Sequence, residues 1–226
     1  MEIKKVTLMT KSMLEMRSFY VELLGFTLIN EDINRFRIAA GTSELEFISR
    51  EVVGQPYYHF AFNIPANKFE ESKLWIKERV SLLVEEGNDE VNFVDLSAHA
   101  LYFYDPAGNI VEFISRHSVS VDSTQPFSIE SIINIGEISL TVEDAITASE
   151  KLNNIGLTER DNHEISTKTL NFLGERTKGV FVLLTEPGRR WLFSDKMSVV
   201  YPIEITLENK HRIVVNTDKE LQVYTN

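Results

Sequence analysis

The six residues LEFISR at 45–50 return as VEFISR at 111–116. Each copy closes a segment in which the same order of predicted strands and helix recurs, residues 3–50 and 57–116. A chain that repeats itself is built from one supersecondary unit used more than once, so this repeat constrains the fold more than any other feature. It also brings a carboxylate to the same place twice, as Glu46 and Glu112.

The first module, residues 3–50, has the predicted order strand, helix, strand, strand, strand. Ser12 and Glu15 form an S-x-x-E pattern that predicts a capping box at the start of the helix, and Gly25 predicts its end. Apolar residues between them recur at helical spacing. The predicted strands are Ile3–Thr10, Phe26–Glu31, Asn34–Ala40 and Glu44–Arg50.

The second module, residues 57–116, repeats that order. Its helix is predicted at about Asn67–Val80. The DPAGN sequence at 105–109 predicts the turn before the last strand, because Pro and Gly stand where turn geometry requires them. The predicted strands are Tyr57–Ile64, Val91–Asp95, Ala98–Tyr104 and Asn109–Ser115.

A Ser-rich stretch with one Pro, residues 118–130, predicts a linker between two domains, 1–117 and 131–226. The second domain holds a degenerate third module and part of a fourth. The lone fourth-module strands are expected to complete the third module's sheet or to pair across a homodimer, which would cover an exposed edge. Its predicted elements are a strand at Ile135–Thr141, a helix at Glu143–Ile155, and strands at Thr169–Gly174, Gly179–Thr185, Tyr201–Glu208 and Arg212–Asn216.

Composition excludes several classes of function. The chain has no Cys, which rules out disulfides, thiolate metal sites and a Cys nucleophile. Its formal net charge of −11 argues against non-specific nucleic-acid binding. The N-terminal MEIKKVTLMT does not resemble a signal peptide, and no apolar run approaches the roughly 20 residues of a membrane span. We therefore expect a soluble, cytoplasmic protein that binds neither nucleic acid nor membrane.

The two modules resemble the vicinal oxygen chelate superfamily, which includes glyoxalase I, extradiol ring-cleaving dioxygenases, and the bleomycin- and fosfomycin-resistance proteins. The resemblance implies an α+β fold of tandem βαβββ modules, with one full domain followed by a degenerate, partial one. It implies the fold more specifically than the function, because one scaffold hosts many chemistries. It is carried by VTLMTKSMLEMRSFYVELLGF (6–26), YHFAFNIP (58–65) and LYFYDPAGNIVEFISR (101–116).

In that superfamily a divalent metal lies in a cleft lined by two modules, with ligands on their first and last strands. Matching KVTL (5–8) with HFAF (59–62), and LEFISR with VEFISR, places Lys5, Glu46, His59 and Glu112 at those positions. The resemblance therefore implies His59, Glu112 and Glu46 as metal ligands. One imidazole and two carboxylates suit Fe, Mn, Zn or Ni and do not choose between them.

Lys5 conflicts with this site, because an ammonium group has no lone pair with which to bind a metal. Beside Glu46 and Glu112 it would take the place of the cation. The alternative is thus a relic site without cofactor, in which Lys5 pairs with the carboxylates.

Strand alternation predicts the other residues of the cleft. In the strand 57–64, Tyr57, His59, Ala61 and Asn63 share one face, opposite an apolar face. In the strand 98–104, Tyr102 and Tyr104 point away from His99. We predict Tyr102 as a candidate catalytic residue, and the ligand-binding residues as Lys5, Tyr57, Asn63, Tyr102 and Tyr104.

Two features depart from the pattern of extradiol dioxygenases, and one further sequence predicts a binding loop. The His that precedes the Leu-Tyr pair of extradiol dioxygenases is absent from residues 93–95. Glu137 and Glu204 stand where the later modules of those enzymes carry metal-binding His residues. The basic-aromatic sequence GRRW at 188–191 predicts a loop that binds a carboxylate or phosphate, or that ties the third module to a partner.

Two functions follow from these observations. The first is a divalent-metal-dependent lyase or ring-cleavage dioxygenase-like enzyme that acts on a small molecule with vicinal oxygens. The second is a metal-free small-molecule binding protein of the drug-sequestering kind, in which Lys5 replaces a metal ligand.

Overall fold

The computed structural model describes residues 1–225 and confirms the modular order. The first module contains β1 (Ile3–Met9), α1 (Met13–Arg17), a π-helical turn (Ser18–Leu23), β2 (Leu28–Asp32), β3 (Arg35–Ala40) and β4 (Ser43–Ile48). The second contains β5 (His59–Ile64), α2 (Phe69–Lys77), β6 (Val91–Phe93), β7 (Ala98–Tyr104) and β8 (Ile110–Arg116).

The rest of the chain departs from the full module. The third contains β9 (Asn134–Thr141), α3 (Ala145–Asn153), β10 (Asn171–Glu175) and β11 (Val180–Thr185), so one strand is missing between α3 and β10. A meander of β12 (Ile203–Leu207), β13 (Arg212–Val215) and β14 (Leu221–Tyr224) follows. The last of these strands was not predicted from the sequence.

The predicted capping box at Ser12 does not form. The Ser12 side chain makes no cap hydrogen bond, and its N–H donates to the Thr10 hydroxyl at 3.1 Å, so this donor is not left for Glu15. Gly25 ends the helical segment as predicted, with φ +82°. A one-way side-chain N-cap occurs at α3, where the Asp144 carboxylate accepts from the Thr147 N–H at 3.0 Å.

Strand pairing places the modules in two seven-stranded sheets. The first sheet has the order β14-β13-β12-β1-β4-β3-β2, and the second has the order β10-β11-β9-β5-β8-β7-β6. In each sheet the first strands of two modules pair antiparallel, β1 with β12 and β5 with β9. The first module thus shares a sheet with the meander, and the second module shares one with the third.

This pairing crosses the predicted linker at 118–130, since each sheet takes strands from both sides of it. The pairing also shows which strand the fourth-module strands lie beside. They extend the first module's sheet through β12, and not the third module's sheet as one alternative expected. Association into a homodimer stays a prediction.

The main core lies between the sheets. One buried cluster joins apolar side chains from both sheets and from α1, α2 and α3. On β5, Phe60, Phe62 and Ile64 point into this cluster, as alternation predicted. A second, smaller apolar cluster covers the opposite face of the second sheet and includes Ala61 and Tyr102. Within residues 1–225, no helix has the length and apolar character needed to cross a membrane.

The two sheets meet closely at the β3–β4 turn. The Thr42 N–H donates to the Ile133 carbonyl at 2.9 Å, and the Ser43 hydroxyl accepts from the Ile135 N–H at 3.1 Å. Gly41 adopts φ +61°, and a Cβ there would lie 2.0 Å from the Ile133 oxygen. Only Gly fits this position, because both the backbone conformation and the space exclude a side chain. The contact fixes the start of β9 against the first sheet.

Candidate metal centre

Three potential ligands meet on neighbouring strands of the second sheet. His59 lies on the central strand β5, Glu112 on β8 and Glu137 on β9, and Ala61 is the register partner of both glutamates. The Nε2 atom of His59 lies 3.4 Å from Glu112 Oε2 and 4.0 Å from Glu137 Oε2. One ligand atom from each residue falls within 4.8 Å of the others, and all three side chains are buried.

The backbone carbonyl of Ile110 sets the tautomer of His59. Its Nδ1 atom lies 3.1 Å from the Ile110 carbonyl oxygen, which can only accept, so Nδ1 carries the proton. The lone pair is then on Nε2, the atom that faces the two carboxylates. Burial lowers the pKa of His59, which keeps the ring neutral as metal binding requires.

The pKa of Glu112 is shifted in the opposite direction to that of His59. Burial raises the pKa of its carboxyl well above the ordinary value, and the nearby charge of Glu137 raises it further. Tyr102 is the register partner of Glu112 on β7. Burial, followed by the charge of Glu112, raises the pKa of the Tyr102 phenol as well, so the phenol keeps its proton at neutral pH.

Arg116 orients Glu137. Its guanidinium donates to Glu137 Oε1, and its Nε donates to Asn63 Oδ1 at 3.1 Å. The Asn63 amide in turn donates to the Gly179 carbonyl at 2.9 Å and to Asn134 Oδ1 at 2.8 Å. One oxygen of Glu137 is therefore occupied by Arg116, while Oε2 is turned toward His59.

The donor set fits a divalent cation. His59 offers a neutral imidazole with a free lone pair, and Glu112 and Glu137 offer carboxyl groups. Catalytic sites commonly supply three protein ligands in this way and keep further positions open for substrate. Nitrogen and oxygen ligands of this kind suit Fe, Mn, Zn or Ni. Arg116 does not compete for the ion, because it takes the Glu137 oxygen that faces away from it.

The three ligands open into a cavity of about 150 Å³. Its walls are mainly apolar, and the ring of Trp191 lies 5.0 Å from that of His59. Tyr102 and Arg189 supply polar groups beside the ligands. The lining also includes Phe93, Leu96, Ile114, Leu170, Phe172, Leu183 and Leu192.

A segment that we call the strap, residues 186–200, covers this cavity. Phe193 stacks on Tyr102 at 4.8 Å between ring centroids. Glu85 accepts from both the Arg190 guanidinium and the Phe193 N–H, which fastens the strap to the second module. Further contacts join Tyr104 to Ser194 and Asp195, Lys196 to the Gly108 carbonyl, and Tyr57 to the Met197 carbonyl.

Glu46 and Lys5, expected in the same cleft as His59 and Glu112, lie in the first sheet instead. Lys5 Nζ is 3.5 Å from Glu46 Oε2, and the Thr7 hydroxyl donates to the same oxygen at 3.1 Å. The reason is the strand pairing, since the first and second modules do not share a sheet. The two positions are equivalent by the repeat: Thr7 is the register partner of Glu46 and Glu204, as Ala61 is of Glu112 and Glu137.

The predicted ligand-binding residues divide between the cavity and its supports. Tyr102 lines the cavity. Asn63 is buried and supports Arg116, and Tyr57 and Tyr104 bind the strap through their hydroxyl groups. Lys5 is outside this site.

Glu137, Arg116 and Trp191 were not predicted as site residues. Glu137 could have been found, because the repeat places it where a metal-binding His is expected. Arg116 is part of the VEFISR repeat, but its role depends on the pairing of β9 with β5, which has no local signal. The GRRW sequence marked the loop that carries Arg189 and Trp191, but not its place over His59.

Comparisons with known proteins agree with this fold. A family model described as toxoflavin-degrading enzyme matches residues 135–189. A search of curated protein sequences finds no significant match. Glyoxalase I from Zea mays is similar in structure, with a TM-score of 0.54 and 16% identity over 81% of this chain and 66% of that one.

Two further solved structures extend the similarity. A mutant of the Zea mays glyoxalase I aligns with 98% of this chain and 91% of its own, at 14% identity and a TM-score of 0.54. A candidate dioxygenase from Bacillus subtilis aligns over 81% of this chain and 63% of its own, at 18% identity and a TM-score of 0.53. The chain has the fold of the vicinal oxygen chelate superfamily, as the βαβββ repeat predicted.

Proposed function

We propose that this chain is a metal-dependent enzyme that holds one divalent cation through His59, Glu112 and Glu137 and acts on a small molecule with vicinal oxygens. The observation that carries the proposal is the convergence of three buried ligand atoms within 4.8 Å, one of them an imidazole nitrogen whose lone pair already faces the other two. A buried cluster of this kind, opening into a cavity, is typical of functional sites.

The bound ion would supply Lewis-acid stabilisation of charge on two chelated substrate oxygens. The chain's own residues would do the rest. Arg116 keeps Glu137 in position, Trp191 covers the His59 ring, and Phe193 holds Tyr102 in place by stacking on it. Tyr102, which keeps its proton, is placed to donate a hydrogen bond to a substrate oxygen.

Both a lyase and a ring-cleavage dioxygenase are consistent with this proposal. The family model for toxoflavin-degrading enzyme supports a degradative reaction, and its matched segment runs from β9 to Arg189 and so includes Glu137. Oxygen consumption by the metal-loaded protein on catechol-type compounds would identify a dioxygenase. Isomerisation of thiol adducts of 2-oxoaldehydes without oxygen consumption would identify a lyase.

Metal binding tests the proposal directly. Chelator-treated protein would be titrated with Mn²⁺, Fe²⁺, Zn²⁺ and Ni²⁺ by calorimetry, and the bound ion counted by elemental analysis. We expect one ion per chain in the wild type and at least a tenfold loss of affinity in His59→Ala and Glu137→Gln.

Glu46→Gln is the matched control, because it removes the repeat-equivalent carboxylate from the first sheet. It should bind the ion like the wild type. An ion that is lost in Glu46→Gln and kept in Glu137→Gln would restore the ligand set expected from the sequence. Failure of the wild type to bind any of the four ions would overturn the proposal.

A metal-free binding protein is the second candidate. It is favoured by the way the site is satisfied without an ion: Arg116 pairs with Glu137, and the raised pKa of Glu112 favours its uncharged form. Ligand binding that is equally tight in the presence of chelator and of metal would support this alternative.

A further inference from the structure

Among residues 1–225, the Arg189 guanidinium has no acidic partner, and it lies beside the candidate metal centre. It lines the cavity and is half-buried. Within residues 1–225 its one side-chain hydrogen bond goes to the Arg190 carbonyl at 3.2 Å. By contrast, its neighbour Arg190 pairs with Glu85 outside the cavity. Most of the guanidinium's donors therefore remain available to a ligand.

The backbone of Arg189 is held by hydrogen bonds on both sides, which anchors the base of its side chain. The Arg189 N–H donates to the Ser198 hydroxyl at 2.9 Å, and its carbonyl accepts from the Ser198 N–H. The guanidinium carbon lies 5.2 Å from the centroid of the Trp191 ring, which limits its directions. The strap thus presents Arg189 to the cavity from a fixed base.

The charges of the site favour an anion. With a divalent ion bound, the ion, Arg116 and Arg189 would bring four positive charges against the two negative charges of Glu112 and Glu137, so the site would carry a formal charge of +2. Arg116 is enclosed against Glu137, whereas Arg189 is half-exposed and stands where the cavity meets solvent. The planar fork of a half-desolvated guanidinium matches a carboxylate with two parallel hydrogen bonds.

The shape of the cavity limits the rest of the ligand. Its volume of about 150 Å³ and its aromatic and aliphatic walls suit a single six-membered ring. Phe172, Leu183 and Trp191 offer apolar surfaces against which a ring can pack.

We propose that the substrate is a small monocyclic carboxylate, with its ring in the apolar cavity, its carboxylate on Arg189 and its vicinal oxygens at the His59, Glu112 and Glu137 centre. The proposal rests on the proposed function for the oxygens at the metal, and on Arg189 alone for the carboxylate. Arg189 is then the residue that selects acids over neutral rings of the same shape.

The test compares acids with their neutral amides. Benzoate and 2-hydroxybenzoate, and benzamide and 2-hydroxybenzamide, would be titrated by calorimetry into wild type, Arg189→Gln and Arg35→Gln, each with chelator and with Mn²⁺. We expect 2-hydroxybenzoate to bind the wild type at least tenfold more tightly than its amide. This preference should disappear in Arg189→Gln and persist in Arg35→Gln, which removes the same charge from an exposed pair with Asp32 in the first sheet.

Arg189→Lys keeps the charge without the fork and should retain part of the preference. Midpoints of urea unfolding show that the variants are folded. The proposal is overturned if neither acid binds the wild type at millimolar concentration, if acid and amide bind equally, or if Arg189→Gln keeps the preference.

The two proposals fail in different ways. If the protein binds no metal but prefers acids through Arg189, the carboxylate subsite stands and the metalloenzyme proposal falls. If metal binds at one ion per chain and acids are not preferred, the carboxylate subsite falls and the metal centre stands.

Discussion

Arg116 binds one carboxylate oxygen of Glu137 and leaves the other facing His59. Both residues are buried, and Asn63 holds the remaining edge of the guanidinium. A buried carboxylate is costly without a cation nearby, so Arg116 offsets the cost of burying Glu137 and orients it before any metal arrives. The ion pair is therefore part of the support of the candidate metal centre and not a rival to it.

Replacing Arg116 should cost more stability than replacing a surface arginine. We expect Arg116→Met to lower the free energy of unfolding of chelated protein by about 3 kcal/mol, since it leaves Glu137 unpaired in the interior. Added metal should recover part of the loss by supplying a cation. Urea unfolding with and without Mn²⁺ measures both effects.

Arg176→Met is the control, because it breaks an exposed pair with Asp161 and should cost less than about 1 kcal/mol. Similar losses in the two variants would contradict the role given to Arg116.

Metal binding should release a proton from Glu112. Its raised pKa favours the protonated carboxyl in the folded, metal-free protein, whereas a metal ligand must be ionised. Calorimetry at pH 7 in two buffers of different ionisation enthalpy counts the protons released. We expect the wild type to release more protons per ion than Glu112→Gln. Equal proton release in the two proteins would assign the proton to another group.

Acid should destabilise the chelated protein through His59. Burial lowers the pKa of His59 below its ordinary 6.5, so the unfolded chain binds the proton more readily than the folded one. The contribution of His59 is therefore present above pH 6.5 and is lost as the pH falls from 6.5 through the lowered pKa. The difference in unfolding free energy between wild type and His59→Gln should shrink between pH 7.5 and 5.5. Parallel curves would argue against a neutral, buried His59.

Glu85 should control the mobility of the strap. Its carboxylate accepts from Arg190 and from the Phe193 N–H, so Glu85→Gln weakens two charge-assisted contacts at once. We expect faster hydrogen exchange in residues 186–200, with little change in global unfolding, because local opening can be cheaper than global unfolding. Glu86→Gln, at the adjacent exposed position, should leave exchange unchanged. Unaltered exchange in Glu85→Gln would mean that Phe193 and Trp191 hold the strap by packing alone.

Local patterns in the sequence were sufficient to predict the modules and the faces of their strands. The alternation that put His59 opposite Phe60 is a property of the strand itself. The LEFISR repeat likewise located Glu112 on a last strand. The membership of the sheets has no such local signal, because β1, β5, β9 and β12 are all short strands with apolar faces, and any two could pair.

That ambiguity explains why the sequence predicted Glu46 as a metal ligand. By the repeat alone, Glu46 and Glu112 are equally good ligands, and only the strand pairing, which sets β8 and β9 beside β5, brings Glu112 and Glu137 to His59 and leaves Glu46 in the first sheet. The strap shows the same limit. Trp191 becomes a wall of the cavity only because the chain between β11 and β12 passes over the second sheet, and no periodicity marks that path.

The pairing of β1 with β12 and of β5 with β9 gives the chain a nested order. All strands of the second sheet fall between residues 59 and 185, while the first sheet takes its strands from the two flanks. During synthesis the inner sheet has every partner available once β11 has left the ribosome, whereas β1 keeps one edge open until β12 emerges. Assembly should thus proceed from the middle of the chain outward, opposite to the usual N-terminal-first sequence, with β1 as the exposed edge during that delay.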